Sequence, residues 1–486
     1  IHLEAGTMQD GLWTKMVQKS FSVEIASGEE SEVNVNLHDV QESLSLSMRF
    51  AEEQFQLSID NVLLGNSLFS FLPRRVRVWC EETELHGRVD SLGVLWSAQD
   101  GLSIEATVEN VQFFLPEEHG VRWAHYDKGA FSRLHGNAKL DVRNGTIVYN
   151  GETVSLRDIE GELFPPQSGG EVPVSFRADL NIFELPNFGE QDGKEWMETM
   201  LSKSPFDAKF FISDVQSRDN GQANVPVAAA KILKLFQLEK WNIASKVSVQ
   251  REEFGQEAVI LGEILIDGAK GMYEGFPYPL HAITSSIKFH NNEIEIVYLN
   301  AIGSDDSKVH ISGNVDASSD FLAVQLNLHA PAAPLDSALQ NALPSGLQNV
   351  MGRLFHTESY ASMKNEPFDS YENGFDFGGV IDLDLDILHD SRLSNDVTVR
   401  GEVSFEDVGI LHDGFPYPIT LQRGMVEVDS DGIFIPDGEV VLFEGAGGGN
   451  GELQGSIAFL KDGSASPDLQ FKLTHEWITP ALLKAI

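Results

Sequence analysis

The chain of 486 residues is too long for one ordinary domain and enough for roughly two to four, and its 42% apolar content is that of a globular protein with a sizeable core. Thirty-four basic residues against 74 acidic ones leave a formal charge of −40, a field that repels nucleic acid and anionic membrane surfaces and excludes both as broad-face partners. A single cysteine, Cys80, excludes an intramolecular disulfide, and no run of 18 apolar residues is present to cross a membrane as a helix.

Period-2 alternation dominates from the first third onward. "VNVNLHDV", "SLSLSMRF", "FQLSID", "VRVWC" and "KLDV" each place apolar residues on one face and polar ones on the other, which predicts strands. Cys80 alternates with Val76 and Val78 and reads as a small buried apolar residue. "RNGT" and "YNGE", between 143 and 152, carry Asn-Gly and predict hairpin turns, so the sequon at Asn144 is read as a turn. Residues 1–175 thus form a β-rich N-terminal region, and "VSFRADLNIFELPN" (174–187) reads as a closing strand.

A second region, 176–330, holds predicted helices near 194–203 and at 226–239. The latter starts at Pro226 and sets Ile232, Leu235 and Phe236 on one face. "EIEIVYL" and "KVHISGNV" are further strands. The third region, 331–486, opens with helices over 334–355. Leu335, Leu339 and Leu343 form one stripe, Pro344 breaks it, and Leu347, Val350, Met351 and Leu354 form another. "VIDLDLDI" alternates, "DSDGI" (429–433) is a tight turn, and 479–486 starts a further helix. The beginning at "IHLEAG" and the end at "TPALLKAI" read as those of a piece of something longer, with any membrane anchor outside it.

A repeat organises these elements. "GEILIDGAKGMYEGFPYP" (262–279) aligns without gaps on "GEVSFEDVGILHDGFPYP" (401–418), with seven of eighteen positions identical. The unit is several strands followed by an amphipathic helix. Its most distinctive element is Phe276-Pro277-Tyr278-Pro279, repeated as Phe415-Pro416-Tyr417-Pro418. Each proline holds the residue before it extended, and alternate prolines delete donors from one side of the strand. The stretch therefore reads as a rigid crossover or edge once per unit, with both rings on one face. Core packing is the first reading for those aromatics and ligand contact the second.

Motifs of known chemistry fail on spacing. Asp382, Asp384 and Asp386 alternate with apolar residues, as a solvated strand face does, and no loop wraps them around a cation. "EGAGGGNGELQG" (444–455) lacks the phosphate-binding pattern and precedes a strand. Serine-hydrolase, zinc-protease and paired-cysteine signatures are missing, so no catalytic residue, metal ligand or cofactor is predicted and the chain is read as non-enzymatic. A carbohydrate-active enzyme with paired carboxylates is a minor alternative.

Many half-apolar strands make a large apolar sheet face that must be covered. The predicted helices are too few to cover it. Either sheets pack on each other as tandem sandwiches, or one curved sheet forms a trough shielded by lipid. Periodicity does not separate the two. The pattern "GFPYPL…SIKF…NEIEI…G…VHISGNV", closing with a strand and "ALPSGLQNVMGRL", resembles the AsmA-like family of bacterial envelope proteins, most clearly over 255–486. The resemblance implies an elongated, mostly β protein, in which a repeating antiparallel sheet forms a curved groove with short amphipathic helices at repeat boundaries. It further implies a periplasmic location in a diderm bacterium, anchoring in the inner membrane through a segment outside this chain, and phospholipid transport toward the outer membrane. By that analogy Ile264, Ile266, Ile294, Ile296, Val403, Phe405, Ile433 and Ile435 would line the groove. The competing class is a ligand-free structural or adhesive protein of tandem β-sandwiches.

Overall fold

Alternating apolar and polar residues become pleated strands with one dry and one wet face. A computed structural model describes residues 2–9, 12–27, 33–39, 45–51, 54–65, 77, 80–81, 83–99, 101–115, 122–127, 130–166, 173–184, 203–217, 222–316, 321–355, 378–393, 397–412, 415–445, 447–460 and 465–475. Twenty-four strands form one sheet, all paired antiparallel. It is a meander: from His2–Gln9 to Ala465–Thr474, strands pair almost throughout with their chain neighbours.

Three excursions carry whole strands or helices of the described residues out of the meander. Gly101–Leu115 pairs with Ala138–Tyr149, leaving out Trp123–Asp127 and Ala130–Leu134. Phe206–Gln216 pairs with Lys240–Arg251, leaving out Ala223–Pro226 and helix α1, Val227–Leu235. Ala323–Pro334 pairs with Val380–Asp390, leaving out α2, Ser337–Ala342, and α3, Ser345–Phe355. Reversals in a meander alternate between two edges, and all three excursions leave from the same one. Their apolar residues join a single core cluster with the inner face of the sheet. The three short strands make a second small sheet. It is tied to α1 by the buried Tyr126 hydroxyl, 3.0 and 2.9 Å from the Leu233 and Leu238 carbonyl oxygens.

Mainly apolar residues form rows across the sheet, one residue per strand. One row runs Ile243, Ile266, Ser285, Leu299, Ile311, Leu328, Leu385, Gly401, Val428, Ile433, Ile457. Another begins Leu46, Ile59, Leu92, Ala106, Ile147, Leu156, Leu180 and Ala208. In this N-terminal part most of the row is only half-buried, around a small cluster centred on Val89, Val108, Val111 and Val142.

The sheet curls in its C-terminal part. Helix α3 packs against both Thr398–His412 and Ala465–Thr474. Those strands are separated by four strand spacings, about 19 Å along a flat sheet, which a helix of about 10–12 Å diameter bridges only if the sheet wraps around it.

The architecture is therefore the elongated antiparallel β-groove. One sheet passes unbroken through the divisions drawn at 175/176 and 330/331, within Val174–Ile182 and Ala323–Pro334, rather than dividing into tandem sandwiches. Helices α1, α2 and α3 stand where the apolar stripes place them, with the break at Pro344. The helix expected near 194–203 lies outside the described residues except for helical Lys203, as does the one at 479–486.

Two expectations are corrected. The described residues of "RVRVWC", Arg77 and Cys80, are helical, as is Glu81 after it, because a run this short also satisfies the i, i+4 spacing of a helix; Cys80 is buried, and that burial raises its thiol pKa. Asn144-Gly145 is no turn. It lies inside Ala138–Tyr149 at a register irregularity, where a Cβ on Gly145 would meet Ile159 Cδ1 at 2.2 Å. Asn150-Gly151 does turn the chain, with the Asn150 side-chain oxygen accepting from the Thr153 amide at 2.8 Å. The 429–433 turn is likewise closed by Asp429 Oδ1, which accepts from the Asp431 and Gly432 amides at 2.7 and 3.0 Å.

Gly401 shows how tightly adjacent strands approach. Its φ is +150°, and a Cβ there would sit 2.1 Å from the Asp384 carbonyl oxygen. Gly401→Ala is expected to destabilise the chain by about 1–3 kcal/mol, whereas Gly65→Ala, with nothing within 4 Å of its Cβ, stays within about 0.5 kcal/mol. Thermal unfolding followed by circular dichroism measures both.

Candidate functional site, an apolar cavity under two helices

Asp336 caps α2, its side chain accepting from the Leu339 amide at 2.9 Å. Leu343 ends that helix, and Pro344 turns the chain into α3, its carbonyl oxygen accepting from the Gln348 amide at 2.9 Å. The two stripes, Leu335–Leu339–Leu343 and Leu347–Val350–Met351–Leu354, therefore point the same way, onto the inner face of the curled sheet. Between helices and sheet lies a cavity of about 820 Å³. Its walls are almost wholly aliphatic and aromatic; Arg353, Tyr417 and Ser456 supply the polar side chains of the lining.

Val403, Phe405, Ile433 and Ile435 all line this cavity. Ile266 and Ile296 instead border a void of about 40 Å³ in the first repeat, where Ile296 is 1% exposed. Ile264 and Ile294 are partly buried against the same core. The eight residues thus share one face but divide between two environments. In the first repeat Phe236, Leu238, Tyr273 and Phe276 fill the space beneath the sheet, while the second repeat stays hollow. Periodicity identified the face. It did not distinguish full from empty, and the eight residues named for the groove leave out Leu383, Leu385, Val441, Phe443, Phe471 and Leu473, which also line the cavity.

Of the crossover or edge read from the sequence, the repeated Pro-aromatic motif is a local edge, opening the return strand of a hairpin. Tyr273 pairs with Phe276 across the turn at Glu274-Gly275, and pairing to the next strand begins only at His281. Residues 276–280 therefore overhang with a sheet neighbour on one side, which is where prolines are tolerated. Phe415–Pro418 overhang in the same way, since the next pairing begins at Ile419. The side chains of Phe415 and Pro416 lie outside the described residues. Phe276 and Tyr278 share a face, ring centroids 6.4 Å apart, and both are buried.

Each motif tyrosine fastens a loop. The Tyr278 hydroxyl lies 3.1 and 3.3 Å from Ser304 Oγ and Ser307 Oγ and accepts from the Ser304 amide at 3.2 Å. The Tyr417 hydroxyl accepts from the Gly447 amide at 3.0 Å. Burial pushes the nearby Tyr273 phenol up to about 12, with the Glu274 carboxylate adding to the shift. On the outer face Asp382 Oδ1 accepts from the Ala332 amide at 2.9 Å and Asp386 pairs with Arg400 at 3.3 Å, so these acids serve the wet side of the strand. Among the described residues no group of three or more His, Cys, Asp or Glu is placed to hold a metal ion.

Removing either hydroxyl should loosen its loop. Tyr278→Phe is expected to cost about 1–2 kcal/mol and to speed amide exchange at 303–307, and Tyr417→Phe to do so at Gly447. Hydrogen–deuterium exchange with mass detection reads both, and unchanged protection would show the loops are held by other contacts.

No protein-family model, curated protein or solved structure matches the chain.

Proposed function

We propose that this chain binds lipid, shielding acyl chains against the apolar face of its groove as a transport protein of the bacterial cell envelope. The observation that carries the reading is the 820 Å³ cavity walled by aliphatic side chains, a volume within the range of ligand sites of about 300–1,000 Å³. A long acyl chain buried there gains about 0.8 kcal/mol per methylene, on the order of 10 kcal/mol in all. The half-buried apolar row across the N-terminal strands supports the same reading, since it extends an apolar surface beyond the reach of the helices. Resemblance to AsmA-like proteins adds the periplasmic setting, phospholipid as the cargo, and anchoring through a segment elsewhere. Among the described residues no helix is long and apolar enough to cross a membrane.

Organic extraction of the purified protein followed by lipid mass spectrometry tests the proposal, and a chain free of acyl lipid under native conditions would defeat it. Two carboxylates separate groove from core. Ile435→Asp, on the cavity wall, is expected to abolish copurifying lipid while the β-sheet circular dichroism persists. Ile296→Asp, where the space is filled, is expected to destabilise the fold by more than about 3 kcal/mol, because a buried carboxylate has no partner there.

A further inference from the structure

The cavity wall is not uniform in exposure. Most lining residues are buried or half-buried, but four are exposed: Arg353, in the last turn of α3, and Pro467, Phe471 and Leu473, on the strand Ala465–Thr474 against which α3 packs. Phe471 is 54% exposed and Leu473 37%. The cavity therefore reaches solvent along the seam between the end of α3 and this strand. Among the described residues Arg353 is the only charged one of the lining and has no ion-pair partner, in a chain with 74 carboxylates to offer one. The negative end of the helix dipole makes this a favourable place for a cation, but it does not account for an aliphatic cavity opening beside it.

We propose that Arg353 is the head-group residue of the groove: the site takes an amphiphile whose acyl chain lies in the cavity and whose anionic phosphate or carboxylate pairs with this guanidinium at the mouth. A planar guanidinium matches either anion with two parallel hydrogen bonds, and the apolar walls beside it accept only the chain. Against an overall charge of −40, an anion is unwelcome over most of the surface, so a cation at the opening with no ion-pair partner among the described residues selects both head group and orientation. The inference rests on the lipid-binding reading above and adds to it which end of the ligand faces outward and what charge that end carries.

The test uses two probes with the same palmitoyl chain, lysophosphatidic acid and lysophosphatidylcholine, below their micellar concentrations, with inorganic phosphate as a third. Isothermal titration calorimetry on the delipidated chain is expected to show about fivefold tighter binding of the anionic lysolipid, the size of one exposed charge-assisted pair, shrinking as salt rises. Arg353→Gln should equalise the two lysolipids without weakening the zwitterionic one, and Arg353→Lys should keep most of the preference. Phe471→Asp, at an exposed position on the mouth, should weaken both. Equal affinities in the unaltered chain, or a preference that survives in Arg353→Gln, overturn the role of Arg353 and leave the lipid-binding reading standing. Failure of both lysolipids to bind overturns the two together. Inorganic phosphate binding as tightly as the lysolipids marks a simple anion site and also overturns the proposal.

Discussion

A strand hydrogen-bonded on both sides has no freedom to rotate, so the parity of its residues decides which side chains share a face. In this chain that constraint acts on strand after strand in a single meander, and a slip of one residue would exchange the wet and dry faces of all that follow. The rows from Ile243 to Ile457 and from Leu46 to Ala208 are its visible result. Everything else answers the question of what covers the dry face. The three helices among the described residues cannot, so the sheet curls around α3 and its apolar row is only half-buried in the N-terminal part.

The position of the helices follows from the same topology. Each excursion leaves by the edge where Pro334, Gln216 and Leu115 end their strands, and each returns apolar side chains to the one face that needs them. Helix α3 then sits between strands that a flat sheet would hold far apart. The cavity is the space that remains when a sheet must bend around a cylinder of fixed width, and its walls are apolar because the sheet face already was.

Much of this was legible in the sequence. Alternation in "VIDLDLDI" placed Ile381, Leu383, Leu385 and Ile387 inside and Asp382 and Asp384 outside, as the structure has them. The stripes at Leu335–Leu354 gave both helices and their break. Short runs were less faithful: "VRVWC" satisfies two periods at once, and Asn144-Gly145 serves a close approach instead of a turn. The site was harder still. Ile296 and Ile435 look alike as alternating β-branched residues, and only the tertiary packing of Phe236, Leu238 and Tyr273 makes the surroundings of one solid and of the other hollow. Arg353 carried no signal beyond being a cation after an apolar stripe, because its meaning depends on a strand more than a hundred residues later in the chain.

Pairing between chain neighbours also governs how such a molecule comes into being. Most strands find their partner among the residues most recently added, and the longer connections, at 65–85, 116–137, 183–205, 217–239 and 335–379, still join neighbours in the sheet, so the entropy lost in closing each loop stays modest. Assembly can then advance as accretion from one end while the polypeptide is still emerging, and fraying can retreat the same way, with cooperativity decaying over a few ribbons instead of spanning the whole. Length becomes a quantity that duplication can add without redesigning what is already there.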